Sequence, residues 1–124
     1  YYTIDNPENK KFVEAYKKKF KGVPPGYAGA AGYGLMKMTL LGMQKSGSTE
    51  PQKVITALEE HKGKNFVGDF EIRGRNHQTV RPFFVLQTKK KNEMKNQYDM
   101  AEVVDVSSTE QPKNINMCKD IGSF

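Results

Sequence analysis

The chain has 124 residues, of which 36% are hydrophobic, and carries a formal charge of +6. This length allows one domain at most, and a mean hydropathy of −0.74 is low for a self-sufficient globule without reaching the composition of a disordered chain. No run of about 18 apolar residues occurs, so we expect no insertion into a membrane.

The first predicted element is a one-sided surface helix, preceded by a lead-in or strand end at residues 1–4. Asn6 is a suitable cap, Pro7 suits the first helical position, and Glu8 favours the positive helix end. A single apolar stripe follows at helical spacing, formed by Phe12, Val13, Tyr16 and Phe20. Gly22 and the two prolines after it end the helix.

A second helix is predicted over residues 33–43, and its apolar residues cover nearly the whole circumference, as in a buried helix. It follows a segment rich in glycine and alanine at 26–34 and ends at Ser46-Gly47-Ser48. Because glycine disfavours helix formation, the cluster needs a reason. Close packing against a neighbouring element and room for a ligand at the helix start both remain open.

Thr49-Glu50-Pro51-Gln52 fits a capping box for a third helix that runs out near residues 61–63. The period then changes from helical to alternating, which predicts a strand at 66–72 and, after a turn at 74–78, a second strand at 83–86. Pro82 indicates a strand start or an edge. The two strands are expected to form a hairpin or to pair.

Beyond Lys89, only residues 100–106 have enough apolar content to pack, and 107–124 are predicted to form an irregular tail. The single cysteine, Cys118, lies in this tail and excludes an internal disulfide framework or a cysteine-based zinc site. A free thiol and a bridge to a partner both remain open.

Catalytic and cofactor motifs are not found. His61 and His77 lie far apart and lack metal-ligand spacing. The glycines at 26–34 lack the preceding strand and the third glycine of a dinucleotide-binding fingerprint. We therefore predict no enzymatic activity, no metal and no cofactor.

The basic runs at 17–19 and 89–91 raise the question of nucleic acid or anionic membranes. Neither run is interleaved with aromatic residues on a shared face, as a single-strand groove requires. Solvated lysines are therefore the preferred interpretation, and no nucleic-acid partner is expected. A basic nucleic-acid-associated protein remains the less favoured alternative.

The order of these segments resembles the last third of the type I periplasmic solute-binding proteins, in their branched-chain amino acid and amide branch. The resemblance covers about residues 1–90 through motifs in a common order: Asn6-Pro7-Glu8-Asn9-Lys10-Lys11-Phe12, Pro24-Pro25 with Tyr27, Tyr33, Lys45-Ser46-Gly47-Ser48, Ile55–Leu58, Phe66–Ile72, Arg75-Asn76-His77-Gln78 and Pro82-Phe83-Phe84-Val85. Each motif is weak alone, and their shared order is what carries the resemblance.

The resemblance implies an α/β fold of two lobes joined by crossover strands, with ligand between them. Residues 1–82 are then part of the first lobe, 83–88 a hinge crossover strand, and 89–124 the return to the second lobe and the C-terminal tail. The implied function is that of the periplasmic substrate-binding component of an ABC importer. It would bind a branched-chain amino acid or a related small carboxylic acid and deliver it to the transporter permease. A ligand-sensing receptor domain is the alternative.

The segment before the second helix faces the cleft in that family, which implies Tyr27 and Ala28 as ligand-binding residues. Tyr27 is expected either to pack on an apolar ligand side chain or to belong to the core. The family's other cleft residues and sheet strands lie upstream of these segments. We therefore expect a fragment whose second helix exposes apolar surface and which pairs with itself or with the N-terminal remainder.

Overall fold

The structure, a computed structural model, describes residues 2–59, 61–74 and 76–108. The helices are α1 (Pro7–Lys19), α2 (Tyr27–Ser46) and α3 (Pro51–Leu58), and a 3₁₀ turn spans Lys91–Glu93. The strands are β1 (Lys62–Asn65), β2 (Gly68–Ile72), β3 (Thr79–Val80), β4 (Pro82–Thr88) and β5 (Ala101–Ser108). This order of helices followed by strands confirms the predicted α/β class.

Helix α1 begins as its sequence predicts. The Asn6 side chain accepts hydrogen bonds from the Glu8 and Asn9 amides at 2.8 and 3.2 Å, and Pro7 occupies the first turn. The helix ends at Lys19, after which the chain turns through Lys21 and Gly22, both at positive φ. Lead-in residues 2–3 form a turn, not a strand.

Helix α2 begins at Tyr27, six residues before the start that the sequence predicted, so the glycine-rich segment forms its first turns. It ends where expected, with Gly47 in the left-handed conformation at φ 62°. The predicted burial is wrong for the described residues, since only Gly42 of α2 is buried. Leu35, Met36 and Leu40 are 72%, 60% and 55% exposed, as expected of a helix separated from its sheet.

Helix α3 packs closely on the second half of α2. A Cβ atom on Gly42 would lie 2.7 Å from the Val54 Cγ1 atom and 3.0 Å from Leu58, so only glycine permits this approach. The capping box predicted from Thr49 is wrong. The cap position is Glu50, whose side chain makes no capping hydrogen bond, while the Glu50 amide is held by the Ser48 hydroxyl at 3.0 Å.

An aromatic cluster joins α1, α2 and the β1–β2 turn. Phe12 and Tyr33 stack with their ring centroids 4.3 Å apart, and Phe66 lies 5.6 Å from Phe12 and 5.4 Å from Tyr33. Phe12, Val13 and Phe66 are its buried residues. The core therefore lies at the α1–α2 interface, and the turn between the first two strands closes it.

Strands β1 and β2 form an antiparallel hairpin around Phe66 and Val67. The predicted strand over 66–72 is therefore wrong at its start, because Asn65 accepts a hydrogen bond from the Val67 amide at 2.9 Å and Gly68 has φ 124°. These two features make a turn that directs Phe66 into the aromatic cluster. Strand β1 is polar and was not predicted.

The remaining strands pair differently from the predicted hairpin. Strand β2 pairs with β1 and with the two-residue β3, whereas β4 pairs with β5 in a separate two-stranded sheet. The strand predicted at 83–86 is confirmed within β4, with Pro82 at its start. The segment 100–106 packs as β5, which also takes in the first residues of the predicted tail. Residues 109–124, including Cys118, lie outside the described residues.

Candidate functional site

The predicted site residues lie in the first turn of α2. Buried Pro24 and Pro25 separate it from α1, and Gly26 precedes the helix in an extended conformation. The first amide hydrogen bond to the cap is that from Ala30 to the Gly26 carbonyl, at 3.1 Å. Helix geometry therefore leaves the amides of residues 27–29 without an intrahelical acceptor.

The cap residue of this helix makes no side-chain hydrogen bond. Gly26 has none to offer, and the first turn of α2 contains no acidic residue. The orphan amides and the aligned peptide dipoles together favour a negative group at this position. These free amides suit a carboxylate. The sequence did not reveal them, because it predicted a helix start at residue 33 and α2 begins at Tyr27.

Tyr27 is 88% exposed, and Ala28 is exposed as well. Tyr27 therefore does not belong to the core formed by residues 2–59, 61–74 and 76–108, which disfavours core packing within this chain. Its ring is available to a ligand or to another part of a larger protein. Tyr27 and Ala28 occupy the first two positions of α2.

The sequence left two roles open for the neighbouring glycines, close packing against another element and room for a ligand. A Cβ atom on Gly29 would lie 3.1 Å from the Tyr16 ring, so this glycine allows α1 and α2 to approach closely. No atom lies within 4 Å of the corresponding position on Gly32, at least among the described residues. Close packing thus explains Gly29, whereas Gly32 lies on an open face.

A basic hollow follows α1. Lys19 and Lys21 line an open hollow of about 360 Å³ with Tyr16, Phe20 and Val23, directly after α1. Tyr16 also contacts Gly29, so the hollow lies beside the first turn of α2.

A second depression lies away from Tyr27 and Ala28. It is an open groove of about 550 Å³ along the three-stranded sheet, lined by Lys62, Gly63, Lys64, Asp69, Phe70, Glu71, Val80, Arg81 and Pro82. Two of its lysines are paired across the hairpin, Lys62 with Glu71 at 3.2 Å and Lys64 with Asp69 at 3.5 Å. These pairs neutralise much of the charge that could select a ligand.

Both histidines are engaged in local contacts. His77 Nε2 lies 2.8 Å from the Glu59 carboxylate, and His61 Nδ1 lies 2.8 Å from Lys45 Nζ. Partial burial, followed by the Lys45 charge, lowers the pKa of His61, which favours the neutral ring that can accept a hydrogen bond from the ammonium. Neither histidine lies beside the start of α2.

Metal-binding clusters of three or more His, Cys, Asp or Glu side chains are absent from the part of the chain that the structure describes. In that same part, no helix has the length and apolar content needed to cross a membrane.

Solved structures with this fold come from ABC transporter substrate-binding proteins. An amino acid ABC transporter substrate-binding protein from Pseudomonas fluorescens Pf-5 is 26% identical, with a TM-score of 0.83 over 90% of this chain and 30% of its own. An ABC-type branched-chain amino acid transporter protein from Rhodopseudomonas palustris CGA009 is also 26% identical, with a TM-score of 0.71 over 87% of this chain and 29% of its own.

A third relative was solved with a ligand. The solute-binding protein of an ABC transporter from Rhodopseudomonas palustris BisB5, in complex with 3,4-dihydroxybenzoic acid, is 25% identical, with a TM-score of 0.60 over 69% of this chain and 24% of its own. The chain therefore spans less than a third of the length of these relatives. A search of curated proteins gives no match.

The sequence profile of the periplasmic binding protein family matches residues 1–93, which is most of the chain. Together with the shared fold, this match confirms the predicted resemblance to the substrate-binding proteins of ABC transporters. The chain belongs to the periplasmic binding protein family.

Proposed function

We propose that this chain is part of the periplasmic substrate-binding component of an ABC importer for a branched-chain amino acid or a related small carboxylic acid. The observation that carries the proposal is the match to an amino acid ABC transporter substrate-binding protein over 90% of the chain. A receptor sensing domain is less favoured, because the structural relatives compared above are transporter proteins.

The proposed division of the chain comes from the family resemblance, and its two sheets support it. Residues 1–82 are assigned to the first lobe, 83–88 to a hinge crossover strand, and 89–124 to the return to the second lobe and the tail. The pairing of β4 with β5, separate from β1–β2–β3, supports a change of structural unit near residue 82. The N-terminal remainder of the protein would supply the rest of the first lobe.

The start of α2 supports the proposed ligand class. Orphan amides at residues 27–29 can donate to a carboxylate, and the exposed Tyr27 ring can cover an apolar or aromatic side chain. An amino acid and a benzoic acid both present a carboxylate beside an apolar group, so both classes belong in a ligand search.

The function requires binding without chemistry. A ligand carboxylate at the α2 amides is held by preformed donors, and the opposite wall of the cleft would come from the second lobe. Closure of the two lobes would present the loaded protein to the transporter permease. This role needs neither a nucleophile nor a general base, which agrees with the local engagement of both histidines.

The test is isothermal titration calorimetry on the full-length protein with leucine, isoleucine, valine and 3,4-dihydroxybenzoate, and with lysine as a cationic comparison. We expect one of the acidic or branched-chain ligands to bind. Tyr27→Ala should weaken its affinity by about 1–2 kcal/mol, roughly five- to thirtyfold, while Tyr27→Phe retains it. Equal affinities for the Tyr27→Ala variant and the wild type would remove Tyr27 from the site, and no binding across the panel would refute the ligand class.

A further inference from the structure

The C-terminal end of α1 combines lysines with exposed apolar side chains. We call this surface the α1 basic end and define it by Lys17, Lys18, Lys19, Phe20, Lys21 and Val23. Phe20 is 45% exposed and Val23 is 42% exposed, and both line the hollow of about 360 Å³ described above. Exposed apolar groups surrounded by cations are typical of surfaces that adsorb to anionic membranes.

The lysines of this surface differ from several other lysines among the described residues. Lys62, Lys64 and Lys89 each pair with a carboxylate. Over residues 2–59, 61–74 and 76–108, no carboxylate lies within 4.0 Å of the ammonium groups of the α1 basic end. Their charge is therefore not neutralised by this part of the chain.

Helix capping explains only part of this charge. Lysines in the last turn of α1 complement the negative helix end, and Lys17 lies over the Tyr2 ring at 5.7 Å. Lys21 lies beyond the helix, at φ 50°, and Lys18 and Lys19 are both exposed. Three ammonium groups consequently remain available to a partner.

Phe20 is stacked on one side and remains partly exposed. Phe20 stacks on Tyr16 with their centroids 4.2 Å apart, and Lys19 Nζ lies 6.0 Å from the Phe20 centroid. Tyr16 thus covers one face of Phe20, and the ring is 45% exposed in total. A partly exposed ring beside exposed lysines suits the boundary between lipid headgroups and acyl chains, where no shaped groove is needed.

We propose that the α1 basic end binds anionic phospholipid headgroups, with Lys18, Lys19 and Lys21 at the phosphates and Phe20 and Val23 at the apolar boundary. The binding is peripheral adsorption, distinct from insertion of a helix. This inference goes beyond the proposed function. It relies on the proposed function only for the expectation that the protein works beside a membrane. Vesicle binding requires no transported ligand, so the two proposals fail independently.

The test is flotation of the full-length protein with phosphatidylcholine vesicles, with and without about 30% phosphatidylglycerol, at about 50 mM and about 500 mM NaCl. We expect binding only to the phosphatidylglycerol vesicles and loss of that binding at high salt. The double variant Lys18→Glu and Lys19→Glu should bind at least about tenfold more weakly, because it removes two attractive charges and adds two repulsive ones.

The matched control is the double variant Lys91→Glu and Lys95→Glu, which changes the net charge equally at exposed sites elsewhere. It should retain most of the binding. A third variant, Phe20→Ser, should weaken binding several-fold while preserving its salt dependence, which separates the apolar contact from the charges. Circular dichroism checks that each variant is folded.

Three outcomes would overturn the proposal. One is no preference for phosphatidylglycerol. Another is an equal loss in both double variants, which would make net charge the cause. The third is binding to duplex DNA that competes with vesicles and is lost in the Lys18→Glu and Lys19→Glu variant, which would identify nucleic acid as the partner.

Discussion

Asp99 and Lys89 form an ion pair that closes the connection between β4 and β5. Lys89 Nζ lies 2.8 Å from Asp99 Oδ1, and the two side chains are only 17% and 11% exposed. The second carboxylate oxygen accepts from the Lys95 amide at 3.0 Å. The hydrogen bond from Lys89, and then that from the Lys95 amide, lower the pKa of Asp99 below its ordinary value.

This pair predicts a loss of stability in acid. A carboxyl group whose pKa is lowered by folding stabilises the fold above its unfolded pKa, which is about 3.9, and this contribution disappears as the pH falls through the lower folded pKa. Asp99→Asn should therefore be less stable than the wild type at neutral pH, with the difference shrinking below about pH 4. Thermal unfolding across this range measures it. A constant difference down to about pH 2 would contradict the prediction.

The close contact between α2 and α3 predicts opposite effects for two glycines. Gly42→Ala should destabilise the chain by about 1–2 kcal/mol, because its methyl group would meet Val54 and Leu58. Gly32→Ala should stabilise the 124-residue chain by up to about 1 kcal/mol, because alanine favours helix and the position is open. Urea unfolding of both variants measures the two effects. Equal and stabilising effects would show that the α2–α3 contact is looser than described.

At the start of α2, a substitution of Ala28 should raise the stability of the protein while lowering its affinity for ligand. Ala28→Asp places a carboxylate in the first turn of α2, which should stabilise the helix by about 0.3–1 kcal/mol. The same carboxylate should repel an anionic ligand and weaken its affinity at least about tenfold. Ala28→Asn, which is similar in size but uncharged, is the control. Calorimetry and thermal unfolding on the full-length protein check both effects, and unchanged affinity in the Asp variant would exclude a carboxylate at this position.

The exposed face of α2 predicts self-association of the isolated chain. Leu35, Met36 and Leu40 present apolar surface that the described residues leave uncovered. Leu35→Glu should lower the association constant at least about tenfold, since burying a leucine stabilises by about 1.5–3 kcal/mol. Gln44→Glu, an equal charge change at an exposed α2 position, should have little effect. Sedimentation velocity measures both, and a folded, strictly monomeric wild-type chain would contradict the prediction.

Local sequence signals predicted the first helix and the C-terminal end of the second helix well. Asn6, Pro7 and Glu8 act through contacts within a few residues, so their pattern is readable in one dimension. The start of α2 was misplaced because the sequence shows that its glycines destabilise a helix but does not show the packing contacts that offset this. Their compensation comes from contacts such as Gly29 with Tyr16, which only the packed structure reveals.

The strands were harder to predict because their pairing is not local. Strand β1 carries no apolar alternation, and β3 spans only Thr79 and Val80, so neither produces a pattern of its own. Phe66 matched the alternation of β2 while in fact serving the aromatic cluster from a turn. The site prediction depended on a family resemblance, because an uncapped helix start leaves no motif in the sequence.

The change of sheet after β3 has a mechanical consequence. Val80 is still paired with Glu71 in the first sheet, and Pro82 is already paired with Ser108 in the second. Arg81 alone separates them, and the proline ring fixes the next φ angle. Any rotation of the β4–β5 ribbon against the first sheet must therefore be concentrated in the torsions of Arg81 and the ψ angle of Pro82. This short segment is consequently a stiff joint. Pro82→Ala is the substitution that should loosen it.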